Sequence, residues 1–178
     1  VQRKHIPNAL TVLRLCLVPV IPAAYFCWTP YAALALYAFA CFTDVIDGWL
    51  ARKWGVSTSF GVAVDPLADK LTVFAVAISL SFDWPWLWCV AGLLLVKDGL
   101  MIIGGIILYF RKSRHKVFPA NWTGKAATVM LWVGLTASFF GEYINPWHYV
   151  LTGIGVVLAI AAFFSYLPNI LKVNREAE

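Results

Sequence analysis

Asp44, Asp47, Asp65 and Asp69 lie in or at the ends of strongly apolar segments, where carboxylates are costly. On insertion scales a charge at the centre of a bilayer costs roughly 2.5–3.5 kcal/mol, so these acids call for a chemical reason. Asp44 and Asp47 are spaced i, i+3, and Asp65 and Asp69 are spaced i, i+4. Each pair therefore shares one face of a helix. Two antiparallel helices joined by the short segment 55–59 would gather all four carboxylates toward one end. Clustered carboxylates repel, and burial disfavours their charged forms. A divalent cation resolves the conflict, and an all-oxygen ligand set favours Mg²⁺, Mn²⁺ or Ca²⁺ over zinc. Four carboxylates can hold two such ions, which suits a diphosphate. Gly48, Ala51 and Gly61 remove bulk beside the acids. Small residues there serve either tight helix packing or room for a nucleotide.

The elements that must position these residues are membrane helices. Of the 178 residues, 61% are hydrophobic and only 13% charged, whereas soluble domains carry about a quarter charged residues. The apolar runs predict an all-α polytopic membrane protein with six transmembrane helices. They fall at about residues 7–28, 30–53, 60–82, 85–110, 122–140 and 146–167. The length suits a single domain over residues 1–178. Pro19, Pro22 and Pro66 fall inside spans and predict kinks. Arg3 and Lys4 precede the first span, Arg52 and Lys53 close the second, and Arg111, Lys112, Arg114 and Lys116 separate the fourth from the fifth. Lys172 and Arg175 follow the sixth, and the opposite loops lack Lys and Arg. This alternation places both termini and the acids on the cytoplasmic side. Trp28, Trp84, Trp86, Trp88 and Trp147 would form an interfacial belt on the other side. The net charge of +5 then reflects membrane topology rather than nucleic-acid binding.

The remaining reactive residue types are less informative. Cys16, Cys27, Cys41 and Cys89 form no C-x-x-C pair and read as small buried hydrophobes. His5, His115 and His148 form no zinc motif. The first apolar run follows a basic start, but Arg14 interrupts it and no small-residue cleavage site follows, so it reads as a retained span. The chain begins at Val1 rather than Met, as a trimmed or processed N-terminus would.

Taken together, the acids read Asp44-x-x-Asp47-Gly48-x-x-Ala51-Arg52, eight residues, then Gly61-x-x-x-Asp65-x-x-x-Asp69. This resembles the full signature of the CDP-alcohol phosphatidyltransferase family. The opening Ile6-Pro7-Asn8-Ala9-Leu10-Thr11 through Arg14 is similar to the first span of its bacterial phospholipid-synthesising members. The resemblance implies transfer of a phosphatidyl group from CDP-diacylglycerol to an acceptor alcohol, with release of CMP. It implies that Asp44, Asp47, Asp65 and Asp69 hold Mg²⁺ or Mn²⁺, and that Asp69 is the general base. It implies that Gly48, Ala51, Arg52 and Gly61, with the acids, line the CDP pocket, and that the chain forms a homodimer in a bacterial inner or plasma membrane. General chemistry agrees, because phosphoryl transfer needs positioning and charge neutralisation more than covalent catalysis.

The acceptor is read from fewer residues. Arg14 and Lys125 lie on the same side as the acids and have the charge for an acceptor phosphate. Asn121-Trp122-Thr123-Gly124-Lys125 resembles the entry to the fifth span in phosphatidylglycerophosphate and cardiolipin synthases. Lys97-Asp98 reads either as a structural pair or as closer to the CMP-forming cardiolipin synthases, where phosphatidylglycerol is the acceptor. Glycerol 3-phosphate is the favoured acceptor and phosphatidylglycerol the alternative. From another class, an acid-lined ion pathway would need acids along the whole crossing, and these gather toward one face.

Overall fold

The computed structural model describes the backbone of residues 5–54, 59–110 and 122–175, and the side chains of residues 9–50, 53–54, 64–65, 67–100 and 122–165. Among the described residues seven helices follow in order: α1 (His5–Cys27), α2 (Pro30–Trp54), α3 (Ser59–Ser81), α4 (Leu87–Phe110), α5 (Trp122–Ser138), α6 (Gly141–Ile144) and α7 (Trp147–Arg175). Among the described residues there is no strand.

The all-α expectation holds, but the six transmembrane helices do not. Among the described residues three helices are long and apolar enough to cross a membrane, at Ala9–Cys27, Pro30–Leu50 and Trp147–Ser165. The physical reasons lie in charge and length. Any stretch of α3 long enough to span holds Asp65, Asp69 and Lys70 together. Helix α5 has 17 residues, or about 25 Å against a hydrocarbon core of about 30 Å. The described side chains of α4 end at Leu100, just past Lys97 and Asp98.

The chain divides into two compact units, Val1–Ala91 and Gly92–Glu178. In the first, α1 packs along both α2 and α3, whereas α2 and α3 touch each other sparingly. The buried stripe of α1 is Thr11, Arg14, Leu17, Ile21 and Ala24, the three- and four-residue steps of one helix face. Helix α2 buries Ala33, Tyr37, Ala40, Thr43 and Asp47 with the same rhythm. Both stripes are apolar at one end and polar at the other, which sets the charged groups together at one end of the unit. Hydroxyls buried between helices bond within their own turn: Thr43 donates to the Ala40 carbonyl and Thr72 to that of Ala68, each at 2.8 Å. This satisfies them where no water competes. At the apolar end, Tyr25 of α1 donates to Asp83 beyond α3. Phe82 meets Phe26 and Trp88 edge-on, with centroids 5.0 and 5.5 Å apart.

In the second unit, α5 and α7 form a closely packed pair. The α7 face carries His148, Thr152, Ala159 and Ala162, all buried, with Gly155 between them. A Cβ added to Gly134 of α5 would fall 2.6 Å from the Thr152 Cα, and one on Gly155 would fall 2.8 Å from the Leu131 backbone nitrogen. Only glycine lets the two backbones come this close, as small residues do between membrane helices. Large apolar residues point outward throughout, among them Val20 and Phe26 on α1 and Ile154, Val157 and Phe164 on α7. Such faces suit a lipid surround and mark the chain as membrane-associated.

Candidate active site

The polar end of the first unit is built by α1, α2 and α3. Arg14 projects from α1 between the two acids of α2. Its Nη1 lies 2.6 Å from Asp44 Oδ1, and its Nη2 lies 2.6 Å from Asp47 Oδ2. One guanidinium thus bridges the i, i+3 pair, with each nitrogen serving a separate carboxylate. The contact with Asp47 is a charge-assisted hydrogen bond, whereas that with Asp44 is an ion pair without hydrogen-bond geometry. Arg14 is 1% exposed, while the Asp47 side chain is 7% exposed and that of Asp44 33%. Asp44 therefore opens outward and Asp47 faces inward.

One turn earlier on α1, the Thr11 hydroxyl donates to Asp65 Oδ1 on α3. Asp65 also lies near enough to Asp44 and Asp47 for its charge to act on both. Asp69, one turn along α3, exerts its charge on Tyr37 and Cys41 of α2. So α1 gathers Asp44, Asp47 and Asp65 through Arg14 and Thr11, and Asp69 stands beside α2 on the same side of α3. Among the described residues a Cβ added to Gly48 would meet no atom within 4 Å. The side-chain surroundings of Ala51, Arg52 and Gly61, and the basic run with Arg111, Lys112, Arg114 and Lys116, lie outside the described residues.

Carboxylate oxygens are the right donors for a hard cation. Their arrangement here does not present a ready site: among the described residues no group of three or more His, Cys, Asp or Glu side chains is placed to hold a metal. Arg14 takes an oxygen of Asp44 and of Asp47, and Thr11 takes one of Asp65. The Arg14 guanidinium thus meets two of these carboxylates, and the Thr11 hydroxyl meets the third.

Two partners emerged only from the fold. Thr11 and Arg14 bind the acids of α3 and α2, and their i, i+3 spacing inside an apolar run is the sequence signal that marks such a face. In the second unit, Lys97 Nζ and Asp98 Oδ1 pair at 2.6 Å with both side chains largely buried, and Lys125 is exposed near the start of α5.

The family model for CDP-alcohol phosphatidyltransferases matches residues 4–165. The chain belongs to the CDP-alcohol phosphatidyltransferase family. It is an enzyme by that membership, and the matched segment contains every aspartate described above. Among its relatives, a protein of Mycobacterium tuberculosis named "Probable phosphatidylglycerophosphate synthase" is 35% identical over 96% of this chain and 81% of its own length. A Pectobacterium atrosepticum protein named "CDP-diacylglycerol--glycerol-3-phosphate 3-phosphatidyltransferase" is 31% identical, covering 96% of this chain and 93% of its own. A Yersinia pestis protein of the same name is 32% identical over 92% of this chain and 93% of its own.

Proposed function

We propose that this phosphatidyltransferase moves the phosphatidyl group of CDP-diacylglycerol to glycerol 3-phosphate and releases CMP. The observation that carries the reading is the gathering of Asp44, Asp47 and Asp65 by α1, with Asp69 one turn further along α3. The names of relatives aligned along nearly the whole chain favour glycerol 3-phosphate as acceptor. In the reaction, the acceptor hydroxyl oxygen bonds to the lipid-side phosphorus. The phosphoanhydride bond to CMP breaks, and the hydroxyl proton passes to Asp69 as general base. Gly48, Ala51, Arg52 and Gly61 line the nucleotide pocket, and Lys125 supplies charge for the acceptor phosphate. Asp44, Asp47, Asp65 and Asp69 would hold Mg²⁺ or Mn²⁺, which would supply charge neutralisation for the diphosphate and the departing CMP.

Positive charges at Arg3 and Lys4, and at Arg52 and Lys53, support a site at the cytoplasmic leaflet. The whole chain acts as one catalytic domain, and the family resemblance supports a homodimer in a bacterial membrane.

The test is CMP release by purified enzyme given CDP-diacylglycerol with glycerol 3-phosphate, phosphatidylglycerol, inositol phosphate or serine in separate reactions. Glycerol 3-phosphate is expected to support turnover, excess chelator to stop it, and added Mg²⁺ or Mn²⁺ to restore it. Turnover with phosphatidylglycerol but not glycerol 3-phosphate would make the enzyme a CMP-forming cardiolipin synthase. Full turnover in excess chelator would remove the cation, and no CMP with any acceptor would remove the transferase reading.

A further inference from the structure

The outward face of α2 changes character where its apolar crossing ends. Phe42, Val45 and Trp49 are each more than half exposed. Their three- and four-residue steps, continued to Lys53, put all four on one stripe of the helix. The crossing ends at Leu50, so Trp49 stands at its edge and Lys53 one turn from Trp49, beyond it. The Lys53 ammonium lies over the Trp49 ring, with Nζ 4.4 Å from the centroid. This cation–π contact between residues i and i+4 holds the charge above the indole. Among the described residues Lys53 meets no carboxylate, whereas Lys97 is paired with Asp98. The stripe is also separate from the acids: Asp47 is buried and lies about 200° around the helix from Trp49.

We propose that the stripe of Phe42, Val45, Trp49 and Lys53 docks an anionic phospholipid of the surrounding bilayer, with its phosphate at Lys53 and an acyl chain along Phe42 and Val45. From Phe42 to Lys53 the helix rises about 16 Å, close to half of a hydrocarbon core of about 30 Å. The stripe therefore matches one leaflet in length. Tryptophan rings favour the boundary between chains and headgroups, which is where the Trp49 ring sits, at the edge of the apolar crossing. A lysine at that depth attracts anionic headgroups, and the ring beneath it keeps the ammonium from wandering. A second copy of the chain fits the stripe less well. Two copies inserted in the same direction are related by an axis along the membrane normal. Pairing this face with itself would set the two Lys53 ammoniums at the same depth, like charge against like. A phosphate supplies the opposite charge.

The experiment is native mass spectrometry of the purified full chain in neutral detergent, titrated with phosphatidylserine or with phosphatidylcholine of the same acyl chains. Wild type should bind phosphatidylserine about fivefold or more tightly than phosphatidylcholine. Lys53→Gln should weaken phosphatidylserine binding about fivefold and leave phosphatidylcholine binding unchanged. Lys53→Arg keeps the charge over the ring and should match wild type. Trp49→Leu keeps an apolar surface but frees the ammonium, and should fall between. Equal binding of the two lipids by wild type, or phosphatidylserine binding by Lys53→Gln that equals wild type, overturns the site. Excess inorganic phosphate should not displace phosphatidylserine; displacement would mean that a free anion is recognised rather than a lipid. Light scattering on the same samples tests the other occupant. A change of oligomeric state in Lys53→Gln or Trp49→Leu with lipid binding intact would make the stripe a contact between copies and defeat the proposal. If Trp49→Leu does not fold, Lys53→Gln and Lys53→Arg decide by the same comparison.

Discussion

Thr11→Val isolates one bond in the site. Thr11 is buried on α1 and its hydroxyl donates to Asp65 on α3. Valine keeps the branched shape and removes the donor. A hydrogen bond to a charged group is worth roughly 1.5–3 kcal/mol net. Asp65 is only half-buried, so water takes up part of the loss and the lower half of that range is expected. For a chain of this length each kcal/mol moves the melting temperature by roughly 2–4 °C, so the variant should melt about 3–8 °C below wild type in detergent. Asp65 would also lose the contact that fixes its direction. If it spends most of its time in other rotamers, kcat/KM for CMP release should fall roughly 10- to 100-fold, the kinetic equivalent of about 1.4–2.8 kcal/mol. Thr11→Ser keeps the donor and should stay close to wild type in both assays. The reasoning fails if Thr11→Val matches Thr11→Ser in melting and turnover alike, since the hydroxyl would then neither hold α1 to α3 nor aim the acid.

Two further outcomes are expected. Asp69→Asn keeps size and polarity but removes the proton acceptor, so turnover should fall by roughly 10²–10⁴-fold with little change in melting temperature; near-normal turnover would strip Asp69 of its role as base. Gly134→Ala would place a Cβ 2.5–2.7 Å from Thr152 atoms that include its backbone, forcing α5 and α7 apart at a cost of roughly 1–3 kcal/mol. Gly153→Ala on α7 meets nothing within 4 Å and should melt at or above wild type; equal melting of the two variants would refute the close-packing argument.

The acids were legible in the sequence because charge inside an apolar run is expensive and because helical spacing puts each pair on one face. The signature they form was enough to reach the family. Their partners were harder to read. The sequence shows that Arg14 carries a charge suited to a phosphate, but not that it lies against Asp44 and Asp47, because an isolated run of residues does not say which helix a charge faces. The expected pairing of α2 with α3 likewise missed that α1 is the helix packed against both. The number of crossings failed for a related reason. Apolar runs were counted as spans without charging α3 for Asp65, Asp69 and Lys70 together, or α5 for its 17 residues. The approach of Gly134 to Thr152 depends on a specific crossing of two helices, which composition does not encode.

The position of the acids along α2 and α3 has an energetic logic. Left alone in an apolar surround, they would be driven toward protonation. The fold sets the Arg14 guanidinium on two of them and the Thr11 hydroxyl on Asp65, both mounted on a helix whose other half is anchored by Leu17, Ile21 and Ala24. The apolar half of α1 supplies burial that offsets the desolvation of its charged half. On this view the precision of the site comes from α1 rather than from the helices that carry the aspartates, and substitutions at its apolar anchors should disturb the acids as surely as substitutions beside them.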